Sequence, residues 1–247
     1  MIIKEGNTTQ PPSYTGGISR RGAETDETIE EQGQLARIVH LLHASKNDTQ
    51  FALLKVAQKA FAEGGERIKY TYPPLITASL KLARSFKARE HFEDNWSSQC
   101  QALYKFIHTL LSSLYTRVTA FNDMALRLYV ACGQLADQTG HEEIAYEFFA
   151  QAFTVYEEAI SDSRAQFQAV CVVASALQGT RGFGRENYDT LITKCALHGS
   201  KLLKKPDQCR AVYLASHLWW GVPNSSLGEE DAKDVSEWWS SVFFVGY

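Results

Sequence analysis

HEEIAYEFFAQAFTVYEEAISDSRAQ, residues 141–166, is the stretch on which the fold turns. At about 100° per residue, Ile144, Ala145, Phe148, Phe149, Ala152, Phe153, Val155, Tyr156, Ala159 and Ile160 sweep an apolar arc of roughly 200°, about twice the stripe of an ordinary surface helix. Glu143, Glu147, Gln151, Thr154 and Glu158 share the remainder. A single neighbour covers one side only, so this helix needs packing partners on two, which puts it inside a stack or bundle.

The flanking sequence supplies those partners. Asp26 or Thr28 can cap a helix running to His43, and Asn47 or Asp48 opens another to Ala62, ended by Gly64-Gly65. Ile68–Tyr72 reads as a connector into a helix with Pro73-Pro74 in its first turn, where a missing N–H costs nothing, running to about Lys87. Further helices follow from Asp94 to about Val118, Asn122 to Gln138, Ser163 to Leu177, Arg185 to Leu203 and Pro206 to Trp220. All six prolines then fall outside helix interiors. Helices of similar length, recurring as pairs about every 40 residues, match the period of HEAT-type arrays, so the expected fold is all-α, a HEAT-like α-solenoid of stacked antiparallel helix pairs. A single irregular bundle is the competing architecture.

The expected organisation is a disordered linker or loop over 1–26, the α-solenoid over 27–221 and an atypical tail over 222–247. The first segment is rich in Gly, Pro, Ser and Thr and too poor in apolar residues to offset the entropy of ordering. The tail concentrates Trp238-Trp239 and Phe243-Phe244, which suggest an exposed apolar patch or a truncated or mis-spliced end. Trp219-Trp220 reads as buried core.

Composition narrows the function classes. With 247 residues, 45% of them hydrophobic, the chain can bury a substantial core. A net charge of −3 gives no broad footprint for nucleic acid. Cys100, Cys132, Cys171, Cys195 and Cys209 lack metal or redox spacing and read as small buried residues in a reducing, cytosolic setting. No stretch is apolar enough to insert in a bilayer.

Catalytic signals are thin. GTRGFG (179–184) has the wrong spacing for a dinucleotide fingerprint and reads as an interhelical loop. His40 and His43 lie at i, i+3 without a completing ligand, and His141 with Glu142-Glu143 reads as an acidic first turn that suits the helix dipole. No cofactor or metal is expected. Glu157, Glu158 and Asp162 form an acidic patch at a helix C-terminus, where carboxylates oppose the macrodipole, pointing outward to a basic partner.

TDETIEEQGQLARIVHLL (25–42), GGERIKYTYPPL (64–75), AYEFFAQAFTVYEEAISDSRAQ (145–166) and CALHGSKLLKKPDQCRAVYLASHLWW (195–220) together resemble the C-terminal half of the large α-solenoid subunit of retromer. The resemblance spans Thr25 to about Trp220; DAKDVSEWWSSVFFVGY at the end resembles nothing in that family. It implies a non-catalytic scaffold in endosomal retrograde transport of transmembrane cargo, cytoplasmic and peripheral on the endosomal membrane. It also implies binding of a metallophosphoesterase-fold subunit; the site for the arrestin-like subunit belongs to the N-terminal half and is absent here. By position, the helix after Pro74 faces that subunit. Animal relatives carry large aromatics where this chain has Thr77 and Arg84, with Leu80 and Lys81 close by. His217 aligns with a position associated with the same interface, and Asp162 with an acidic position linked to recruitment of the actin-nucleating WASH complex. The alternatives are a helical metal-dependent hydrolase built on His40 and His43, and a folded fragment that binds nothing.

Overall fold

A computed structural model of the chain describes residues 20–219, of which 20–28 as backbone alone. Among the described residues there are nine α-helices and no strand: α1 (Arg20–Leu41), α2 (Asn47–Ala62), α3 (Ile68–Ala88), α4 (Trp96–Arg117), α5 (Asn122–Gln138), α6 (Glu142–Ala159), α7 (Ser163–Gln178), α8 (Arg185–Ser200) and α9 (Lys205–Ser216). No helix among them is long and apolar enough to cross a membrane.

The helices stand in two rows. α1 packs on α3, α3 on α5, α5 on α7 and α7 on α9, which makes one row of odd-numbered helices. Side-chain pairs join the even ones: Phe51 meets Phe106 edge-on at 5.6 Å between α2 and α4, Tyr104 meets Phe148 at 6.0 Å between α4 and α6, and Phe153 meets His198 at 5.5 Å between α6 and α8. From α2 onward each helix also packs across to the other row, most extensively α5 on α6. α5, α7 and α9 start at Asn122, Ser163 and Lys205, a recurrence of roughly forty residues, and contacts run only between near neighbours in sequence: the architecture is an α-solenoid.

α6 shows why. Ala145, Phe148, Phe149, Ala152, Phe153, Val155 and Tyr156 are all buried, against α5 on one side and α4 and α8 on the others. Burying each of the larger ones stabilises the stack by about 1.5–3 kcal/mol. The α5–α6 approach is close because Gly133 has no side chain: a Cβ there would sit 2.9 Å from the Phe149 ring. Between these helices Gly140 takes φ 80°, a left-handed conformation, and His141 and Gly140 donate their N–H groups to the carbonyls of Ala136 and Asp137, closing the end of α5.

Several boundaries differ from the sequence reading. α1 begins at Arg20, so Asp26 and Thr28 lie within it and not at its start, and the last residues assigned to the 1–26 linker are helical. Ile68–Tyr72 is the first part of α3, not a connector, and Pro73 and Pro74 lie inside that helix. Two intrahelical hydrogen bonds are lost there, those to the carbonyls of Lys69 and Tyr70, and the helix persists because Ile68, Thr71, Tyr72, Leu75 and Ile76 are at most 3% exposed. α8 and α9 end at Ser200 and Ser216, earlier than read. Cys100, Cys132 and Cys195 are buried as expected, whereas Cys171 is half-buried and Cys209 exposed. Trp219 is half-buried against the core; Trp220, the aromatic pairs near the end, the tail and residues 1–19 lie outside the described residues.

Candidate functional site

α3 buries one face, through Leu75, Ser79, Leu82 and Phe86, against α1, α2, α4 and α5. Thr77, Lys81 and Arg84, spaced i, i+4, i+7, therefore form a stripe on the opposite side and are exposed. The Thr77 hydroxyl donates to the Pro73 carbonyl at 2.9 Å, so it is already engaged by its own helix. Leu80 sits at the edge of the stripe, half-buried and packed against the core.

The two remaining expected residues lie elsewhere in the same row. Asp162 precedes α7 and caps it, its carboxylate accepting from the Ala165 N–H at 2.9 Å. His217 follows α9, exposed, its ring edge-on to Tyr213 at 4.9 Å. α9 packs on α7 and α8, so His217 stands several helices along the array from the α3 stripe. All six residues thus lie on, or cap, odd-row helices.

The acidic patch read around Asp162 is not a free cluster. Glu157 lies 3.0 Å from Lys194 and 3.1 Å from His198, and the Lys194 ammonium holds its carboxyl below the usual range. Glu158 accepts from the Tyr115 hydroxyl at 3.0 Å. Each carboxylate has a partner on another helix or a helix end to cap, which a one-dimensional reading of the α6 terminus could not anticipate.

Four polar residues anchor loops and helix ends in ways that the sequence reading did not assign. Asp137 is buried at the end of α5 and accepts from the backbone N–H groups of Arg181 and Gly182 at 2.9 and 2.7 Å, tying down the GTRGFG loop. Glu142 accepts from the Gly184 N–H and the Asn187 amide, at 2.8 and 2.7 Å, at the start of α8. His141 is 8% exposed and sits between Ser97 at 3.4 Å and Thr139 at 3.1 Å, with Tyr104 bonded to Thr139 at 2.9 Å. Burial lowers its pKa, with the Lys87 charge adding to the effect and the bonds to Ser97 and Thr139 opposing it. His198 is likewise pushed down by burial, against the pull of Glu157. The one available signal was a charged or polar residue at the boundary between apolar runs.

Burial keeps the interior thiols protonated and inert, raising Cys100 to about 11 and Cys195 to about 12. His40 and His43 are exposed, and among the described residues no group of three or more His, Cys, Asp or Glu side chains is arranged to hold a metal. What the array offers is a broad exposed face on the odd row, with charged and polar stripes set on rigid helices.

Comparison with known proteins fits this picture. The family model described as vacuolar protein sorting-associated protein 35 matches residues 1–238. That match runs beyond Thr25–Trp220 at both ends and reaches into the segment that the sequence reading had set apart. Among curated proteins, the chain is 37% identical over 222 residues to vacuolar protein sorting-associated protein 35 of Schizosaccharomyces pombe, covering 89% of this chain and 26% of that one. It is 41% identical over 205 residues to vacuolar protein sorting-associated protein 35A of Arabidopsis thaliana, covering 81% and 26% respectively. The chain spans about a quarter of the length of these relatives.

Proposed function

The chain belongs to the vacuolar protein sorting-associated protein 35 family, and on that basis we propose that it is a non-catalytic scaffold segment of retromer in endosomal retrograde transport of transmembrane cargo. Its work is to hold a metallophosphoesterase-fold subunit against the odd row, with α3 as the main contact. The observation that carries this reading is the α3 stripe: Thr77, Lys81 and Arg84 are exposed on a helix otherwise locked into the array, and among the described residues neither cation has an ion-pair partner. A rigid face with unspent charge suits recognition of another protein better than support of this one. His217 extends the same interface along the row. Asp162, whose capping uses one carboxylate oxygen, serves as an attachment point for the WASH complex. The segment acts in the cytoplasm, peripheral to the endosomal membrane and carried there by its assembly.

Calorimetric titration of the chain with the purified metallophosphoesterase-fold subunit tests this. Leu80→Asp is a poor probe because Leu80 packs against the core; Lys81→Glu with Arg84→Glu changes only exposed groups. The expected result is binding by the native chain and binding weaker on the order of tenfold by the double variant, each reversal costing up to ~1 kcal/mol. Equal affinities would move the interface off α3. No heat from a chain that melts cooperatively would mean a folded segment without this binding activity.

A further inference from the structure

The chain has 7 histidines, and their placement is one-sided. His40, His43, His91 and His217 are exposed; the covered ones, His108, His141 and His198, all belong to the even row, on α4, before α6 and near the end of α8. Each meets rings of the next helix in that row. His141 is edge-on to Trp96 and Tyr104 of α4, both at 5.7 Å, and His108 of α4 faces Phe148 of α6 at 6.2 Å. His198 lies against Phe153 and Tyr156 of α6, at 5.5 and 4.6 Å. Odd-row helices approach one another more closely, with a groove of about 380 Å³ between α5 and α7, and carry no covered histidine. α4, α6 and α8 stand further apart and are bridged by rings.

Neither joint is built to hold a charged imidazole. At His141, Thr139 spends its hydroxyl hydrogen on the Ala136 carbonyl at 3.1 Å, so the ring donates from Nδ1 to Thr139 at 3.1 Å. Nε2 is then the basic nitrogen, 3.4 Å from the Ser97 hydroxyl. Cys100 and Tyr104 close by stay protonated, and the charge that acts on the ring is the Lys87 ammonium at the end of α3. The neighbouring carboxylates are engaged elsewhere, Asp137 with the Arg181 and Gly182 N–H groups and Glu142 with Gly184 and Asn187. At His198, Nε2 lies 3.1 Å from Glu157 Oε1, but Lys194 holds that same oxygen at 3.0 Å, and Lys201 adds a second cation. Tyr156 and Cys195 nearby stay protonated. We infer that the even row is a proton-operated hinge: when His141 and His198 each take a proton from solvent, the α4–α6 and α6–α8 joints loosen while the odd row holds, and the array bends. Burial lowers the pKa of both rings; the bonds to Ser97 and Thr139 at one joint and the pull of Glu157 at the other do not offset it. The sign follows from linkage: above 6.5 both rings are neutral and the joints closed, and below it the open joint binds the proton more readily, so falling pH favours opening.

Pulsed electron–electron double resonance on the full chain measures the two rows separately. Cys171 and Cys209, the half-buried and exposed thiols, are replaced by serine. Spin labels at Lys105 of α4 and Thr193 of α8 then report the even row, and labels at Met124 of α5 and Arg210 of α9 the odd row, all at exposed positions. From about pH 7.5 to about pH 5.5 the even-row distance should lengthen by about 1–2 Å, the size of helix shifts in switching transitions, with the odd-row distance unchanged. His141→Gln with His198→Phe removes both titrating groups at little change of bulk and should abolish the lengthening. The native chain supplies a readout that needs no variant: the ring-carbon resonances of His141 and His198 should titrate below 6.5, in step with the lengthening. The inference fails if the even-row distance stays constant, if both rows lengthen alike, if the double variant lengthens like the native chain, or if either ring titrates at or above 6.5. No partner enters the measurement, so its failure would leave the α3 reading standing, and a failed subunit titration would leave the hinge standing.

Discussion

His141 and Asp162 each do a structural job visible only in three dimensions. His141 is held neutral among Ser97, Thr139, Tyr104 and Trp96, with the Lys87 ammonium close to the Trp96 ring at 4.8 Å. Its pKa is lowered from 6.5. The sign follows: above about pH 6.5 the imidazole is neutral folded or unfolded, and stability is unaffected; below it the unfolded chain takes up the proton first, so stability falls as pH falls. Urea denaturation near pH 7.5 and near pH 5.5 should show a larger loss for the native chain than for His141→Gln, the difference cancelling the carboxylates that titrate in both. An equal loss would mean that His141 does not govern this response. At Asp162, alanine removes the cap of α7 and should cost about 1 kcal/mol, whereas asparagine, an equally good cap, should cost a few tenths at most. Thermal melts separate the two by roughly 2–4 °C. If Asp162→Asn melts like the native protein yet loses a partner, the charge serves binding and the cap serves folding.

Helices in this array are defined as much by what they press against as by their own residues. Pro73 and Pro74 each cost an interior helix roughly 3 kcal/mol, yet α3 runs through them because its first residues are sealed against neighbours. Two glycines show the same contrast. Gly33 in α1 has nothing within 4 Å of a built Cβ, whereas Gly133 in α5 would drive one into Phe149. Gly33→Ala should therefore stabilise by about 0.5–1 kcal/mol, gaining helix propensity alone. Gly133→Ala gains the same but overpacks the α5–α6 contact, a Cβ lying 2.9 Å from the Phe149 ring, at a cost of about 1–3 kcal/mol, for a net destabilisation of up to about 2.5 kcal/mol. Chemical denaturation of the pair checks both signs; stabilisation by both would mean that α5 and α6 can slide apart without penalty. That Thr77, Lys81 and Arg84 share one side of a helix was legible in the sequence, although the family resemblance singled them out and only the packing of α3 turned that side outward. The α5–α7 groove was not, because its two walls come from segments about 40 residues apart.

Across the whole molecule, two-row stacking turns local sequence into a long surface. Contacts between neighbouring helices hold the array, so its outward faces are free to carry residues that the core does not constrain. A compact bundle of the same composition would offer no such extended, one-sided face. This geometry gives physical meaning to a scaffold reading, because binding here draws on shape and charge spread over several helices and requires no reactive group.

The all-α character, the bounds of α2 and α5, and the many-sided burial of α6 were determined by the sequence itself, because periodicity and breakers act within a few residues of one another. Which face each helix turns outward, that α3 continues through its prolines, and that Glu157, Asp162 and Asp137 are engaged internally were decided only by the tertiary structure. Those outcomes depend on distant partners, such as Lys194 for Glu157 and Gly182 for Asp137. The balance between an exposed charge and a paired one is set when the rows come together, not by the order of residues along one helix.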